Sequence, residues 1–154
     1  IDKSPWGEIP ILEDGELILR DAQAILIYLA NKHAGAQWWP EEAALQAQVA
    51  QWLFTAANEI QHGPNAARLV DKFDYALNKA DTLTISARIL GLLESHLNQH
   101  DWLALNRPTL AECAVFPYVA LAHEGGIQLQ DYPAIGRWIK RIKALPGFIP
   151  MPAI

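Results

Sequence analysis

Two short apolar runs separated by a turn open the chain. Residues 9–12 and 17–19 are apolar, and the polar segment between them contains Asp14-Gly15, a common hairpin turn pair. Apolar residues then recur at helical spacing from Asp21 to about Lys32, and an aspartate suits the start of a helix. The pattern therefore predicts a β-hairpin followed by an amphipathic helix.

From Glu41 to the end of the chain, the apolar positions follow the helical period. Four main helices are predicted, over about 41–61 and beginning at Asn78, Thr109 and Asp131. Residues 62–65, His-Gly-Pro-Asn, are expected to interrupt the first of them, because a proline removes a backbone donor and clashes with the preceding turn. Residues 66–69 are expected to continue it as a kinked extension. Residues 70–77 are expected to form a connector.

A stripe of uncharged polar residues runs along the first of these helices beside its apolar face. It consists of Gln48, Gln51, Thr55, Asn58 and His62. A solvent-facing helix surface usually carries Lys and Glu, so the stripe fits the wall of a pocket or a contact with another subunit. A Gln-rich solvent surface would explain the same residues equally well.

The segment from Thr109 to Glu112 has the spacing of a capping box. In such a box the threonine hydroxyl accepts a backbone N–H of the first helical turn, and the glutamate carboxylate accepts the N–H of the threonine. The sequence therefore predicts a structural cap at the start of a buried helix.

His96 and His100 are four residues apart and fall on one helix face. Pairs of this kind can bind zinc, but a third ligand is not placed nearby. We interpret both as surface histidines, and no metal site is predicted.

Composition and charge narrow the class of protein. The net charge of −5 and the sequence pI near 5.4 argue against a nucleic-acid surface, which needs clustered Lys and Arg. Cys113 is the single cysteine, which excludes an internal disulfide and fits a reducing, cytoplasmic location. No apolar run approaches the roughly 20 residues of a membrane span, so no membrane partner is expected.

Three stretches together resemble the glutathione transferase family. They are Ile9-Pro10-Ile11-Leu12 with Asp14-Gly15, the helix from Asp21 to Leu29, and the ending from Tyr132-Pro133 through Trp138 to Phe148. The resemblance implies the second half of a thioredoxin-like α/β glutathione-binding unit over 1–34, a linker over 35–40 and an all-helical domain over 41–154. The chain would then be mostly α.

The resemblance also implies an activity. Such proteins conjugate the thiol of glutathione, bound as a co-substrate, to hydrophobic electrophiles and usually act as homodimers. A cis Ile9-Pro10 bond would offer the Ile9 backbone to glutathione, Asp21 would hold its ammonium, and free N–H groups of Ala22 and Gln23 would bind a carboxylate. The catalytic Ser, Tyr or Cys is expected N-terminal to Ile1, so we expect the intact protein to be longer.

The chain departs from the family pattern at two positions. Ala22 replaces the family's serine, and Glu8 stands where relatives often carry Gln or Lys. The loss of one hydroxyl bond to a charged group typically costs about 1.5–3 kcal/mol, so weaker glutathione binding is expected.

The electrophile is expected between the two domains, against a wall formed by Asn58, Glu59, His62 and Phe116.

Other functions on this fold remain open at the level of the sequence. Peroxide reduction, isomerisation and dehalogenation use glutathione on the same scaffold, and the residue N-terminal to Ile1 would discriminate among them. A non-catalytic binding or scaffold protein is the alternative from another class, and Ala22 favours it somewhat.

Overall fold

The computed structural model describes residues 6–154, and the chain is mostly helical. A two-stranded antiparallel sheet, β1 (Leu12–Asp14) and β2 (Leu17–Leu19), precedes helix α1 (Ala22–Leu29). The helices that follow are α2 (Ala43–Thr55), α3 (Ala66–Phe73), α4 (Lys79–Leu97), α5 (Leu110–Ala120) and α6 (Pro133–Lys143). In the described part of the chain, no helix combines the length and hydropathy needed to cross a membrane.

The hairpin closes through the turn that the sequence predicts, and side chains tie it to α1. Asp14 pairs with Leu17 across the strands, and Gly15 adopts a positive φ of 61° in the turn between them. Asp14 also accepts hydrogen bonds from the Lys32 ammonium and, at 2.7 Å, from the Tyr28 hydroxyl. These two donors, Lys32 first, lower the pKa of Asp14. The hairpin and α1 are therefore one packed unit.

Helix α2 does not end where the sequence predicts a break. Residues Ala56–Asn65 continue it as π-helical turns, and α3 follows directly. In an α-helix the ring of Pro64 would clash with the carbonyl of residue 60, whereas a wider turn gives the ring room. The predicted interruption at residues 62–65 is therefore wrong, because the chain widens its helix there. A shorter π-helical segment, Ala30–Ala34, extends α1 in the same way.

A short connector leads from α3 to α4. Helix α3 reaches Phe73, and Asp74 ends it in a left-handed conformation with φ of 55°. The connector predicted over 70–77 is therefore confined to its second half. Asn78 begins α4 as predicted, and its side chain accepts the N–H of Ala80 at 3.0 Å.

Helix α5 is buried along most of its length, and the predicted capping box is present at its start. The Thr109 hydroxyl accepts the N–H of Ala111 at 3.2 Å, and the Glu112 carboxylate accepts the N–H of Thr109 at 2.8 Å. The other carboxylate oxygen accepts the N–H of Leu103 at 2.8 Å, although Glu112 is only 2% exposed. Burial raises the pKa of Glu112, and the hydrogen bonds from Leu103 and Thr109 partly offset that rise.

Helix α6 receives its N-terminal cap from another helix. Glu94 of α4 accepts the N–H groups of Ala134 and Ile135, each at 2.9 Å. Trp138, fully buried one turn later, packs edge-on against Phe116 of α5 with 5.9 Å between ring centroids. The core therefore lies where α2 with its π-helical continuation, α4, α5 and α6 meet.

A cluster of charges joins α3 to the 3₁₀ turn Ala122–Gly125 that follows α5. Glu124 contacts both Arg68 and Lys72, and these cations, Lys72 first, lower the pKa of Glu124. Lys79 donates to the carbonyl of Gly125 at 2.8 Å. The turn is therefore held closely against α3.

Residues 35–40, the predicted linker, are held against the start of α5. The N–H of Leu110 donates to the carbonyl of Trp38 at 3.1 Å, and the Arg107 guanidinium donates to further carbonyls of this segment. Trp38 and Trp39 are partly buried and pack against the helical core. The two tryptophans therefore anchor the segment.

Candidate functional site

The segment around Ile9-Pro10 lies open at the surface. The peptide bond between these residues is cis, and the Ile9 side chain is 91% exposed. Strand β1 begins only at Leu12, and the N–H and C=O of Ile9 have no hydrogen-bond partner among the described residues. Ile9 therefore offers a free backbone edge to which an extended ligand can add like a strand.

Asp21 is the N-cap of α1. Its oxygen Oδ1 accepts the N–H groups of Gln23 and Ala24, both at 2.9 Å. The expectation that Gln23 offers a free N–H is therefore wrong, because the Asp21 side chain already occupies that donor. The N–H of Ala22 and the Oδ2 oxygen of Asp21 have no partner among the described residues.

A buried acceptor lies in the same first helical turn. The side-chain oxygen Oε1 of Gln23 is buried and accepts no hydrogen bond from the described part of the chain. Such an unpaired group typically costs about 1–3 kcal/mol. The start of α1 thus combines an acceptor suited to an ammonium, Asp21 Oδ2, with a donor suited to a carboxylate, the Ala22 N–H.

The four residues predicted as one wall of a substrate pocket do not lie together. Asn58, Glu59 and His62 line a depression of about 380 Å³ beside α4. Phe116 lines a different groove and is buried against Trp138. The prediction of a single wall is therefore wrong, because the Phe116 face of α5 turns into the core with α6. The role of the other three in substrate binding stays a prediction.

A larger cavity, of about 550 Å³, lies between α2 and the C-terminal end of α4. Gln48, Gln51 and Thr55, the first part of the predicted polar stripe, line it together with His96 and His100. The rest of the stripe lines the 380 Å³ depression. The stripe therefore faces concave surfaces along its length, which favours the pocket-wall or subunit interpretation over a plain solvent surface.

The two histidines of this cavity stack on one another. Their ring centroids are 4.3 Å apart with 14° between the planes, and the Trp52 ring lies 5.0 Å from that of His96. Burial lowers the pKa of His96. The surface interpretation holds for His100, which is exposed, and is wrong for the half-buried His96. The sequence contains both the polar stripe of α2 and this histidine pair, but it does not show that they lie side by side. The structure brings them together around one cavity.

An apolar groove of about 350 Å³ runs between α5 and the segment after α6. Phe116, Phe148 and Trp38 line it, and Cys113 reaches its surface. The apolar surroundings, and secondarily the charge of Glu112, raise the pKa of the Cys113 thiol to about 11. This cysteine is therefore a protonated thiol at neutral pH and a poor nucleophile. Among the described residues, no three His, Cys, Asp or Glu side chains are grouped to hold a metal ion.

An open Ile-Pro segment beside a capped helix start, followed by a helical bundle with a buried capping box, is the arrangement of the glutathione transferases. A family model described as "Glutathione S-transferase, C-terminal domain" matches residues 68–146, just over half of the chain. The chain belongs to the glutathione S-transferase family.

Solved structures share the fold over nearly the whole chain. A glutathione S-transferase from Xanthobacter autotrophicus Py2 superimposes with a TM-score of 0.90 at 29% identity, covering 99% of this chain and 76% of that one. A glutathione transferase from Burkholderia graminis, solved with two glutathione molecules bound per subunit, gives a TM-score of 0.77 at 27% identity. That match covers 94% of this chain and 66% of the other.

The names of related proteins describe more than one activity. Glutathione S-transferase 2 of Anopheles gambiae is 29% identical over 149 residues, which are 94% of this chain and 70% of that protein. The disulfide-bond oxidoreductase YfcG of Escherichia coli is 29% identical, with 94% and 71% covered. The dichloromethane dehalogenase of Methylorubrum extorquens is 28% identical, with 93% and 56% covered. The chain thus spans between 56% and 71% of these three proteins.

Proposed function

We propose that the protein is a glutathione transferase, which joins the thiol of glutathione to hydrophobic electrophiles. The observation that carries the proposal is the pair of unpartnered groups at the start of α1, the N–H of Ala22 and the Oδ2 oxygen of Asp21. The N–H can donate to the carboxylate of a γ-glutamyl group, and the Oδ2 oxygen can accept from its ammonium. Membership of the family supports glutathione as the ligand that carries this group.

In this proposal glutathione lies across the end of the hairpin. The backbone of Ile9 pairs with the cysteinyl residue, while Asp21 and Ala22 bind the γ-glutamyl end. Ala22 supplies no hydroxyl, and the N–H of Gln23 is already used. Binding therefore depends on fewer donors than the family pattern implies, and we expect it to be weaker.

The thiol must lose its proton before it attacks, since the thiolate is the nucleophile. Cys113 does not supply this activation, because it lies in the groove of α5 and holds its own proton at neutral pH. A hydrogen-bond donor beside the sulfur would stabilise the thiolate, and the thiol proton passes to solvent. The new sulfur–carbon bond then forms on the electrophile, whose leaving group departs with the bonding electrons.

We also propose a homodimer that forms through α2 and α4. The 550 and 380 Å³ concavities lie along this pair of helices, on either side of Leu92. Leu92 follows Ile89 and precedes His96 at helical spacing, so it lies on the same face, and it is 58% exposed. An exposed leucine between concave surfaces that are lined mostly by uncharged residues is typical of a protein interface.

The binding site is tested by titration calorimetry with glutathione on two variants. Asp21→Asn keeps a good helix cap and removes the charge, so its affinity should fall about tenfold. Ala22→Ser restores a hydroxyl and should bind more tightly. Asp131→Ala, which removes an exposed carboxylate far along the sequence, is the control. Unchanged affinity in both variants would remove this assignment.

A second glutathione chemistry is the alternative, and the names of two relatives favour it. The YfcG protein is a disulfide-bond oxidoreductase and the Methylorubrum extorquens protein a dichloromethane dehalogenase. Three assays on the protein separate the candidates: conjugation of 1-chloro-2,4-dinitrobenzene, halide release from dichloromethane, and reduction of a small disulfide. Glutathione binding with none of the three activities would favour a binding or scaffold protein.

A further inference from the structure

The 550 Å³ cavity between α2 and α4 adjoins a second cavity, of about 440 Å³, on the side of α6. His100 and Asn106 line both cavities, so the two meet at these side chains. The Arg141 guanidinium, which lines the second cavity, lies 5.6 Å from the centroid of the Trp102 ring, which lines the first. Each volume falls within the range of about 300–1,000 Å³ that is usual for small-molecule sites. The two cavities therefore offer one site with two differently lined halves.

The first half, the 550 Å³ cavity, is suited to a planar ring that contains nitrogen. Trp52, Trp102 and the histidine pair supply aromatic rings on which such a ligand can stack. The side-chain amides of Gln48 and Asn106 also line this half and make no hydrogen bond with any described residue. A carboxamide pairs with the edge of a base through one donor and one acceptor, as Asn and Gln do with adenine. Stacking surfaces and free amides together favour a nucleobase.

The second half, the 440 Å³ cavity, is suited to an anion. Arg137 and Arg141, one turn apart on α6, both line it. The Asp101 carboxylate accepts from Arg141 at 2.6 Å and offsets that charge, whereas Arg137 forms no ion pair with any described residue. Arg137 donates to Oδ1 of Asn98 at 3.1 Å, which orients the guanidinium and leaves its other N–H groups free. An oriented guanidinium with free donors favours a phosphate.

The position of Arg137 in α6 needs an explanation other than the helix dipole. The chain has a net charge of −5, yet four of its 12 Lys and Arg residues lie between positions 137 and 143. Lys140, Arg141 and Lys143 lie in the last turn of α6, where cations interact favourably with the negative end of the helix. Arg137 lies before that turn, and the dipole effect falls off within it. An anion in the second half of the site accounts for this cation.

We propose that the two cavities form a binding site for a nucleoside phosphate such as AMP. The base lies among the aromatic rings and amides of the first half, and the phosphate binds Arg137 and Arg141 in the second. The site begins one turn of α4 beyond Leu92, at the end of the proposed dimer contact. It shares no residue with the proposed glutathione site, so the inference does not depend on the proposed function.

Titration calorimetry with AMP, adenosine and inorganic phosphate tests the proposal. AMP should bind at least about tenfold more tightly than either of the other probes, because AMP alone occupies both halves of the site. Arg137→Gln should raise the Kd of AMP about tenfold and leave that of adenosine unchanged, since only a contact with the phosphate is lost. Gln48→Leu should raise the Kd of AMP and that of adenosine by the same factor. Lys143→Gln removes an exposed charge of the same helix outside both cavities and should change neither Kd.

Three results would overturn the inference. Equal affinities for AMP and inorganic phosphate would show that the base makes no contact, and equal affinities for AMP and adenosine would show the same of the phosphate. An Arg137→Gln variant that binds AMP like the original protein, or an original protein that binds no AMP, would also contradict it. Far-UV circular dichroism confirms that each variant is folded. Glutathione binding should be unchanged in Arg137→Gln, so an original protein that binds no glutathione would count against the proposed function alone.

Discussion

Glu112 shows how one buried side chain can serve two elements. Its carboxylate accepts the N–H of Thr109 at the start of α5 and the N–H of Leu103 in the loop before it, each at 2.8 Å. Both donors would otherwise be buried without a partner, which is costly. The capping box therefore fixes the α4–α5 loop as well as the helix start.

The buried position of Thr109 predicts an unusually large effect for a helix cap. Thr109→Ala should lower the free energy of unfolding toward the upper end of the usual range of about 0.5–2 kcal/mol for a lost cap. Asn78→Ala, which removes the exposed cap of α4, should lower the free energy of unfolding by an amount near the lower end of that range, because water can replace the side chain. Urea denaturation of both variants measures the difference. Equal costs would show that burial of the cap has no influence.

The raised pKa of Glu112 predicts a pH dependence of stability. Because the folded-state pKa lies above the unfolded value of about 4.3, the folded protein holds this proton more tightly. The resulting stabilisation is complete below the unfolded pKa and is lost as the pH rises through the folded pKa.

The unfolding free energy of the original protein minus that of Glu112→Gln should therefore fall as the pH rises from about 4 toward neutrality. Denaturant titrations of both proteins across this range provide the measurement. A difference that stays constant, or grows with pH, would contradict the direction of the shift.

At the scale of elements, two close helix approaches depend on glycine. A Cβ on Gly63 would lie 3.2 Å from the backbone nitrogen of Ser86, and one on Gly125 only 2.7 Å from that of Arg68. The first glycine lies in the π-helical segment, and the second in the turn that the Glu124 ion pairs hold against α3. These contacts set how closely α3 and α4 approach their neighbours.

Substitution of Gly125 should therefore destabilise the protein. Gly125→Ala should cost about 1–3 kcal/mol, the usual range for overpacking, because backbone atoms of α3 must move. Gly136→Ala is the matched control. A Cβ on Gly136 meets nothing within 4 Å, and alanine favours the helix by about 1 kcal/mol, so this variant should be more stable. Thermal unfolding followed by circular dichroism compares them, and a destabilised Gly136→Ala with a neutral Gly125→Ala would refute the packing argument.

At the scale of the whole molecule, the proposed homodimer predicts opposite outcomes on the two sides of α4. Leu92→Glu places a charge in the proposed contact and should give a monomer, since a buried unpaired charge is unfavourable. Leu83→Glu is nine residues away, on the opposite side of the helix, and should stay dimeric. Sedimentation equilibrium of the two variants and the original protein provides the measurement. A dimer that survives Leu92→Glu would place the interface elsewhere.

The sequence by itself determined the order of elements and the local chemistry at their ends. The turn at Asp14-Gly15, the helix starts at Asp21, Asn78 and Thr109, and the capping partner Glu112 were all predicted from it. These features depend on residues within a few positions of one another. Their geometry therefore follows from backbone preferences that neighbouring residues set.

Tertiary structure decided what depends on residues distant in sequence. The break expected at Pro64 became a π-helical segment packed on α4, and Phe116 turned into the core, away from Asn58 and His62. The contact of Arg20 with Trp6 joins segments on either side of the hairpin. The pattern of apolar and polar residues predicts which residues share one helix face or strand. The free energy of packing decides which of these faces meet.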